Sequence, residues 1–219
     1  LRYPFFMIPI SIDCVFRSTL PDFRLAILEA EVTVAEHDES LWSRMKGVIQ
    51  NRQNELNVEG ISRIPEVAAL RKAYRKLGKD PARYRGSQEA LIRRIVQGKV
   101  ISSVNTVVDI NNLLSIETGH SAGAFNAQAV EPPVLVRAGQ EGETYHGIGR
   151  DVLNVAHLPL LADRISAFGS STSDSRRTRV TLETTQLLMV IYSFSGERPL
   201  ETVSERAKAL LIKYAKAKN

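Results

Sequence analysis

The sequence predicts an α+β fold: a single mixed domain with helices mainly in the first half and at the C-terminus, and strands mainly in the second half. Three observations predict it. Apolar residues recur at helical spacing from Asp38 to Gly98 and again after Leu200. Short β-branched runs bounded by glycine and proline fill the stretch between Gly119 and Phe194. The two kinds of pattern are segregated rather than alternating, which is the mark of an α+β chain. No internal repeat, low-complexity linker or domain boundary divides the 219 residues, a length that supports one sizeable core. One domain spanning residues 1–219 is therefore expected.

The elements follow in order. The opening LRYPFFMIPISIDCVF is apolar but broken by Pro9 and Asp13, so it reads as a buried strand rather than a signal peptide. Cys14 lies within it and is expected to be a buried, inert thiol. Arg24 to Val34 reads as a strand. Asp38 is a helix N-cap, followed by Leu41, Met45, Val48, Ile49 and Leu56 at helical spacing. A second helix follows Pro65, with Val67, Leu70, Tyr74 and Leu77 on one face and Gly78 as its stop. Asp80 to Gly86 is a loop. Ser87 is expected to cap a short helix through Leu91, Ile92 and Ile95, closed by Gly98. Val104 to Ile116 fits helix and strand equally. Gly119 to Gly149 carries short β-like runs such as Val134 to Arg137, and Val180 to Phe194 is β-branched and buried. Leu200, Val203, Ala207, Leu210, Leu211 and Tyr214 form the stripe of a C-terminal amphipathic helix, with lysines in its last turns to suit the helix dipole.

Composition bounds the function. A lone cysteine excludes an intramolecular disulfide. No apolar run approaches the roughly 20 residues of a membrane helix, so no membrane partner is expected and a cytoplasmic location follows by default. The net charge is +5 and the pI about 9.4, which fits a polyanionic partner without requiring one. Between Arg63 and Lys99 there are eleven basic residues against three acidic ones. Arg71, Arg75 and Lys79 recur every four residues, so one helix would align them; with Arg83 and Arg85 they are candidates for contact with the phosphates of a polyanionic partner. The competing reading is that these arginines brace the loop around Pro81.

Familiar reaction motifs are absent. The sequence holds no phosphate-binding glycine loop, no dinucleotide fingerprint and no Gly-x-Ser-x-Gly. His37, His120, His146 and His157 do not pair at ligand spacing, so no metal and no cofactor is expected. His120 and His146 are possible general bases, and Asp163, Asp174 and Glu183 are carboxylates without a distinguishing context. No catalytic residue is nominated.

The order of short patterns carries more. Ala73-Tyr-Arg-Lys-Leu-Gly-Lys-Asp-Pro-Ala-Arg-Tyr-Arg-Gly-Ser87 is followed by Glu89-Ala-Leu-Ile-Arg-Arg94 and Val107-Val-Asp-Ile-Asn-Asn-Leu113. Ala124-Phe-Asn126, Val136-Arg-Ala138, Gly142-Glu143 and Gly147-Ile-Gly149 then appear in turn. In this order the chain resembles the B3/B4 domain family, the editing module of the phenylalanyl-tRNA synthetase β subunit, and especially its stand-alone members. The resemblance spans about Arg63 to Tyr192. It implies a mixed fold with a cleft, which in the synthetase hydrolyses tyrosine wrongly attached to the tRNA for phenylalanine. It implies tRNA or aminoacyl-tRNA as the partner and ester hydrolysis in trans as the reaction. The alternatives are a non-catalytic module for a small amino-acid-like ligand and a structural interaction protein. The chain shows no ATP-handling signature and is too short to be a complete synthetase.

By the same resemblance, Asn111 and Asn112 match a Thr-Asn pair lining the cleft, Ile148 falls at an apolar pocket position, and Ser170 to Ser175 falls near a pocket loop. Two positions depart. Ser121-Ala-Gly-Ala-Phe-Asn126 places Gly123 where the synthetase has a pocket histidine, and Val190 falls where it has a glutamate that recognises the tyrosine hydroxyl. Valine accepts no proton, so that discrimination does not carry over. Stand-alone members share Arg137, Glu143, Asp174, Ser175 and Thr178 instead, which become the cleft candidates. Arg137 and Glu143 equally fit a structural pair across neighbouring strands.

Overall fold

The computed structural model describes residues 7–149, 151–196 and 198–218. The chain opens with a short strand β1 (Ile10–Ile12) and a helix α1 (Cys14–Thr19), then β2 (Arg24–Glu31). Four helices follow: α2 (Glu39–Glu55), α3 (Pro65–Lys76), α4 (Ser87–Val96) and α5 (Thr106–Thr118). Seven strands come next: β3 (Ser121–Asn126), β4 (Val134–Ala138), β5 (Thr144–His146), β6 (Val152–Asn154), β7 (Pro159–Ala162), β8 (Ala167–Ser170) and β9 (Gln186–Ser193). Helix α6 (Arg198–Ala215) closes the chain. The α+β segregation is as the sequence predicts.

The strands form a β2-β9-β3 sheet, a β1-β4-β7-β8 sheet and a β5-β6 hairpin. Strand β9 is the centre of the first. Its Leu187, Met189 and Ile191 face a core shared with α2, α5 and α6, while Leu188, Val190 and Tyr192 face the second sheet. Both faces are covered, so β9 reads as an unbroken apolar run instead of alternating. A third cluster joins Leu70 and Tyr74 of α3 to Tyr145, Leu153 and Leu160 of the hairpin and β7. The stripe of Leu200, Val203, Ala207, Leu210, Leu211 and Tyr214 is buried as expected.

Local chemistry explains the helix ends. The Asp38 carboxylate accepts the Leu41 N–H at 2.8 Å, so Asp38 is the N-cap of α2. Gly78 follows α3 at φ +84°, a left-handed conformation that glycine adopts at no steric cost. The ambiguous Val104–Ile116 stretch is helical, capped by the Asn105 side chain on the Val108 N–H and ended by Gly119. Helix α5 is buried nearly all round, which is why its sequence lacks a polar stripe.

Three expectations are corrected. The opening stretch is not one buried strand: residues 1–6 lie outside the described residues, β1 is only Ile10–Ile12, and the Asp13 carboxylate accepts the Phe16 N–H to start α1. Cys14 is therefore the first residue of a short surface helix, and it is exposed. Ser87 does not cap α4; the N-cap is Gly86, and the Ser87 hydroxyl lies 2.8 Å from that of Ser121. No helix of the described residues is long and apolar enough to cross a membrane.

Candidate functional site

The densest polar chemistry lies where the Ser170–Ser175 loop leaves β8 and meets β3, α3 and β5. Position 123 explains how these groups come so close. Side chains at Ser121, Gly123 and Phe125 share one face of β3, and Gly123 stands opposite Val190 in the β3–β9 ladder. A methyl group at Gly123 would meet the Phe125 ring at 2.6 Å and the Asp174 Oδ2 at 3.2 Å. Gly169 of β8 is covered by the same ring, also at 2.6 Å. Two glycines thus admit the tip of the Phe125 ring between the sheets and let the Asp174 carboxyl approach the β3 backbone. The two positions at which the chain departs from the synthetase pattern, Gly123 and Val190, are cross-strand partners at this one spot.

Around Asp174 the side chains are neutral hydroxyls. The Tyr74 hydroxyl of α3 lies 2.8 Å from Ser171 Oγ and 2.7 Å from Thr172 Oγ1. The Tyr145 hydroxyl of β5 donates to Ser170 Oγ at 3.1 Å and to the Ser173 carbonyl. Ser121 Oγ donates to the Ser171 carbonyl at 2.9 Å and joins Ser87. The Tyr192 hydroxyl of β9 is buried with no hydrogen-bond partner among the described residues. Asp174 Oδ1 accepts the Ser170 N–H at a long 3.4 Å, and Asp174 makes no ion pair among the described residues. Burial therefore dominates and pushes its carboxyl up to about 8, with the Ser170 N–H opposing. Burial likewise pushes the Tyr74 phenol up to about 12. The Tyr145 and Tyr192 phenols are raised first by burial and then by the neighbouring Asp174 carboxyl. Thr172, Ser173 and Asp174 each keep part of their surface open, so the cluster is crowded but not sealed.

The structure gathers some of the sequence candidates here. Asp174 and Gly123 touch as described. Ser175 is buried, its N–H bonded to the Phe168 carbonyl. Ile148 donates its N–H to the Asp174 carbonyl at 2.9 Å, and its side chain is exposed rather than walling a pocket. Thr178 is buried with its hydroxyl unpartnered. Arg137 and Glu143 form a two-pronged ion pair at 2.7 and 2.8 Å, which holds the glutamate below its usual range. The pair joins β4 to the turn before β5, and these strands are not ladder neighbours. Asn111 and Asn112 are not brought to the cluster: α5 packs on the Ala122 and Ala124 face of β3, opposite Gly123, and Asn111 Nδ2 donates to the Ala122 carbonyl at 3.2 Å. Tyr74, Tyr145 and Tyr192 were not singled out in the sequence. Tyrosines in apolar stripes read as core, and only the fold converges their hydroxyls.

The basic segment is corrected. Lys79 lies beyond the end of α3 and is buried; its Nζ donates to the Ala156 carbonyl at 2.6 Å and sits 3.7 Å from the Tyr84 ring centroid. Burial lowers its pKa. Arg71 bonds the Pro81 carbonyl at 3.2 Å and the Glu89 carboxylate at 2.9 and 3.1 Å. Arg93 and Arg85 approach the same buried carboxylate at 3.4 and 3.9 Å. Arg75, Arg83 and Arg85 remain exposed. Arg71, Arg75 and Lys79 therefore do not form one solvent-facing stripe.

The remaining acid–base candidates are structural or surface groups. His120 is buried beside Glu66 at 3.5 Å, with burial lowering its pKa, and His146 is exposed. Asp163 anchors Arg177 at 2.9 Å and accepts N–H groups of the Ile165 turn; Glu183 is exposed. His37 contacts Ser103 and Glu39, but Ser103 donates its proton to Asp109 at 2.6 Å, so no activated nucleophile results. Among the described residues no group of three His, Cys, Asp or Glu could hold a metal ion.

Two sheets with helices packed against both, and a hydroxyl-rich loop at the β3 edge, define an α+β domain. Residues 69–213, well over half the chain, match the model of the B3/4 domain, and the protein belongs to that family. A search of curated proteins gave no match. Among solved structures, one similar chain is an N-terminal fragment of the phenylalanyl-tRNA synthetase β-subunit from Pyrococcus horikoshii. Identity is 14% and the TM-score 0.43, over 95% of this chain and 51% of that one. This chain thus spans about half the length of that fragment.

Proposed function

We propose that this chain, as one domain over residues 1–219, binds the aminoacyl-adenosine end of an aminoacyl-tRNA, and that it hydrolyses a mischarged ester in trans. Membership of the B3/4 family supports the ligand class. The observation that carries the reading is the Ser170–Asp174 loop: a carboxyl and a row of hydroxyls converge at the place where the family resemblance puts the cleft. Such a site suits a small polar group more than a long anionic strand.

Hydrolysis needs a positioned water and donors for the developing oxyanion, not a side-chain nucleophile. Thr172 and Ser173, which keep part of their surface open, offer hydroxyls for these roles, while the buried Tyr74 and Tyr145 hydroxyls hold the loop in place. Exposed Arg75, Arg83 and Arg85 remain available for phosphate contact at the periphery.

A second reading, binding of a free amino-acid-like molecule without tRNA, draws on the internal contacts of Arg71 and Lys79, which remove two cations from a phosphate-facing surface. Incubation with a panel of mischarged tRNAs tests the first reading. Faster deacylation than buffer for at least one of them is expected, and no acceleration for any would refute the enzymatic part. Thermal shift with free amino acids tests the second, since a ligand bound only by the folded state raises the melting temperature.

A further inference from the structure

We propose that the cleft recognises the free α-ammonium group of its ligand, and that Asp174 is the residue that takes it; this rests on the aminoacyl reading above. The geometry isolates this carboxyl. Among the described residues its Oδ2, which lies against Gly123 of β3, takes no hydrogen bond, and Oδ1 has only the long contact to the Ser170 N–H. Every neighbouring element brings a neutral group: Tyr74 from α3, Tyr145 from β5, Tyr192 from β9, and Ser170 and Ser171 from the loop. The charged side chains close by are committed elsewhere. Glu143 is paired with Arg137, and Arg176 donates to the Gly147 carbonyl.

The buried Tyr192 hydroxyl is a second unpartnered group beside the carboxyl. A donor-rich group would satisfy both the unpartnered Tyr192 hydroxyl and the partly open carboxyl beside it. An ammonium supplies three donors and a positive charge.

The chemistry is a proton balance. Without ligand the carboxyl is mostly neutral near pH 7, because its pKa is about 8. An ammonium beside it favours the carboxylate, so binding releases a proton to solvent while the amine keeps its own. The cleft would therefore discriminate against ligands whose α-amine is acylated. That is a specificity for the class of aminoacyl ester with a free amine, separate from any choice of side chain.

The experiment uses the intact protein and amide-linked aminoacyl-adenosine analogues, puromycin among them, across a set of amino-acid side chains, each with its N-acetylated counterpart. Calorimetry near pH 7 in phosphate and in Tris reads affinity and proton release together. The free-amine form should bind at least about tenfold more tightly, with release of roughly one proton at most. Asp174→Asn keeps the acceptor for Ser170 but should remove both the amine preference and the buffer dependence of the heat. Should that variant fold poorly, the comparison of acetylated and free forms on the unaltered protein still decides. Equal binding of the two forms, with no proton release, overturns this inference and leaves the aminoacyl reading standing. No binding of any analogue in either form overturns both.

Discussion

Asp174 and Gly123 meet at the closest packing of the candidate site. The Asp174 carboxyl is held neutral by burial, and its folded pKa of about 8 lies above its ordinary value of 3.8. The folded chain therefore binds more protons than the unfolded chain between about pH 4 and pH 8, and stability falls as pH rises through that window. Asp174→Asn escapes this loss. It should match the unaltered protein in stability near pH 4 and exceed it near pH 8 by on the order of 1–3 kcal/mol, after allowance for water reaching the carboxyl. Urea titrations at the two pH values measure this, and equal stability at both would show that the carboxyl is not desolvated. Gly123 makes the complementary case. Restoring a histidine there cannot rebuild the synthetase's pocket, because the Phe125 ring occupies the space. Gly123→His should lower stability by roughly 1–3 kcal/mol, as overpacking does, without creating tyrosine editing. Deacylation of mischarged tyrosyl-tRNA by a stably folded variant would contradict this.

At the scale of elements, the α3–α4 segment separates charge that is structural from charge that is free. Glu89 is buried with three partly exposed arginines around it, so Glu89→Ala leaves a hole and three like charges without their shared acceptor and should cost roughly 1–3 kcal/mol. Arg75→Glu, on an exposed position, should stay within about 0.5 kcal/mol of the unaltered protein. Joint reversal of Arg71, Arg75 and Lys79 should accordingly lower the melting temperature, where a solvent-facing stripe would have left it nearly unchanged; thermal melts of these variants decide between the two pictures. The helices themselves were legible in sequence, because caps such as Asp38 and stops such as Gly78 act within a few residues. The destinations of the charges were not. The contact of Arg71 with Glu89 joins residues on different helices, and Lys79 turns inward only because the chain bends at Gly78. Asp174 was reachable through family resemblance alone. Its companions Tyr74, Tyr145 and Tyr192 are scattered over three elements, and no spacing rule joins them. Asn111 matched the family pattern but lies against the other face of β3, since a local match does not say which side of a sheet a helix covers.

At the scale of the molecule, β9 is buried between the helical layer and the second sheet, and the functional candidates sit at the β3 edge where those layers and the β5–β6 hairpin meet. A site at such a junction draws its groups from rigid elements on several sides, which suits a small ligand fragment held by converging polar groups. The exposed cations of this region, Arg75, Arg83 and Arg85 among them, lie at the periphery, and under the proposed function any phosphate contact would fall to them. Affinity for tRNA should therefore have two separable parts: a salt-sensitive part from phosphates and a salt-insensitive part from the aminoacyl end. Equilibrium binding of one tRNA in its aminoacylated and uncharged forms, across a salt series and with a non-hydrolysable aminoacyl link, tests the central claim most directly. The account predicts that the aminoacylated form binds at least about tenfold more tightly and keeps that advantage as salt rises; equal affinity of the two forms at every salt concentration would contradict it.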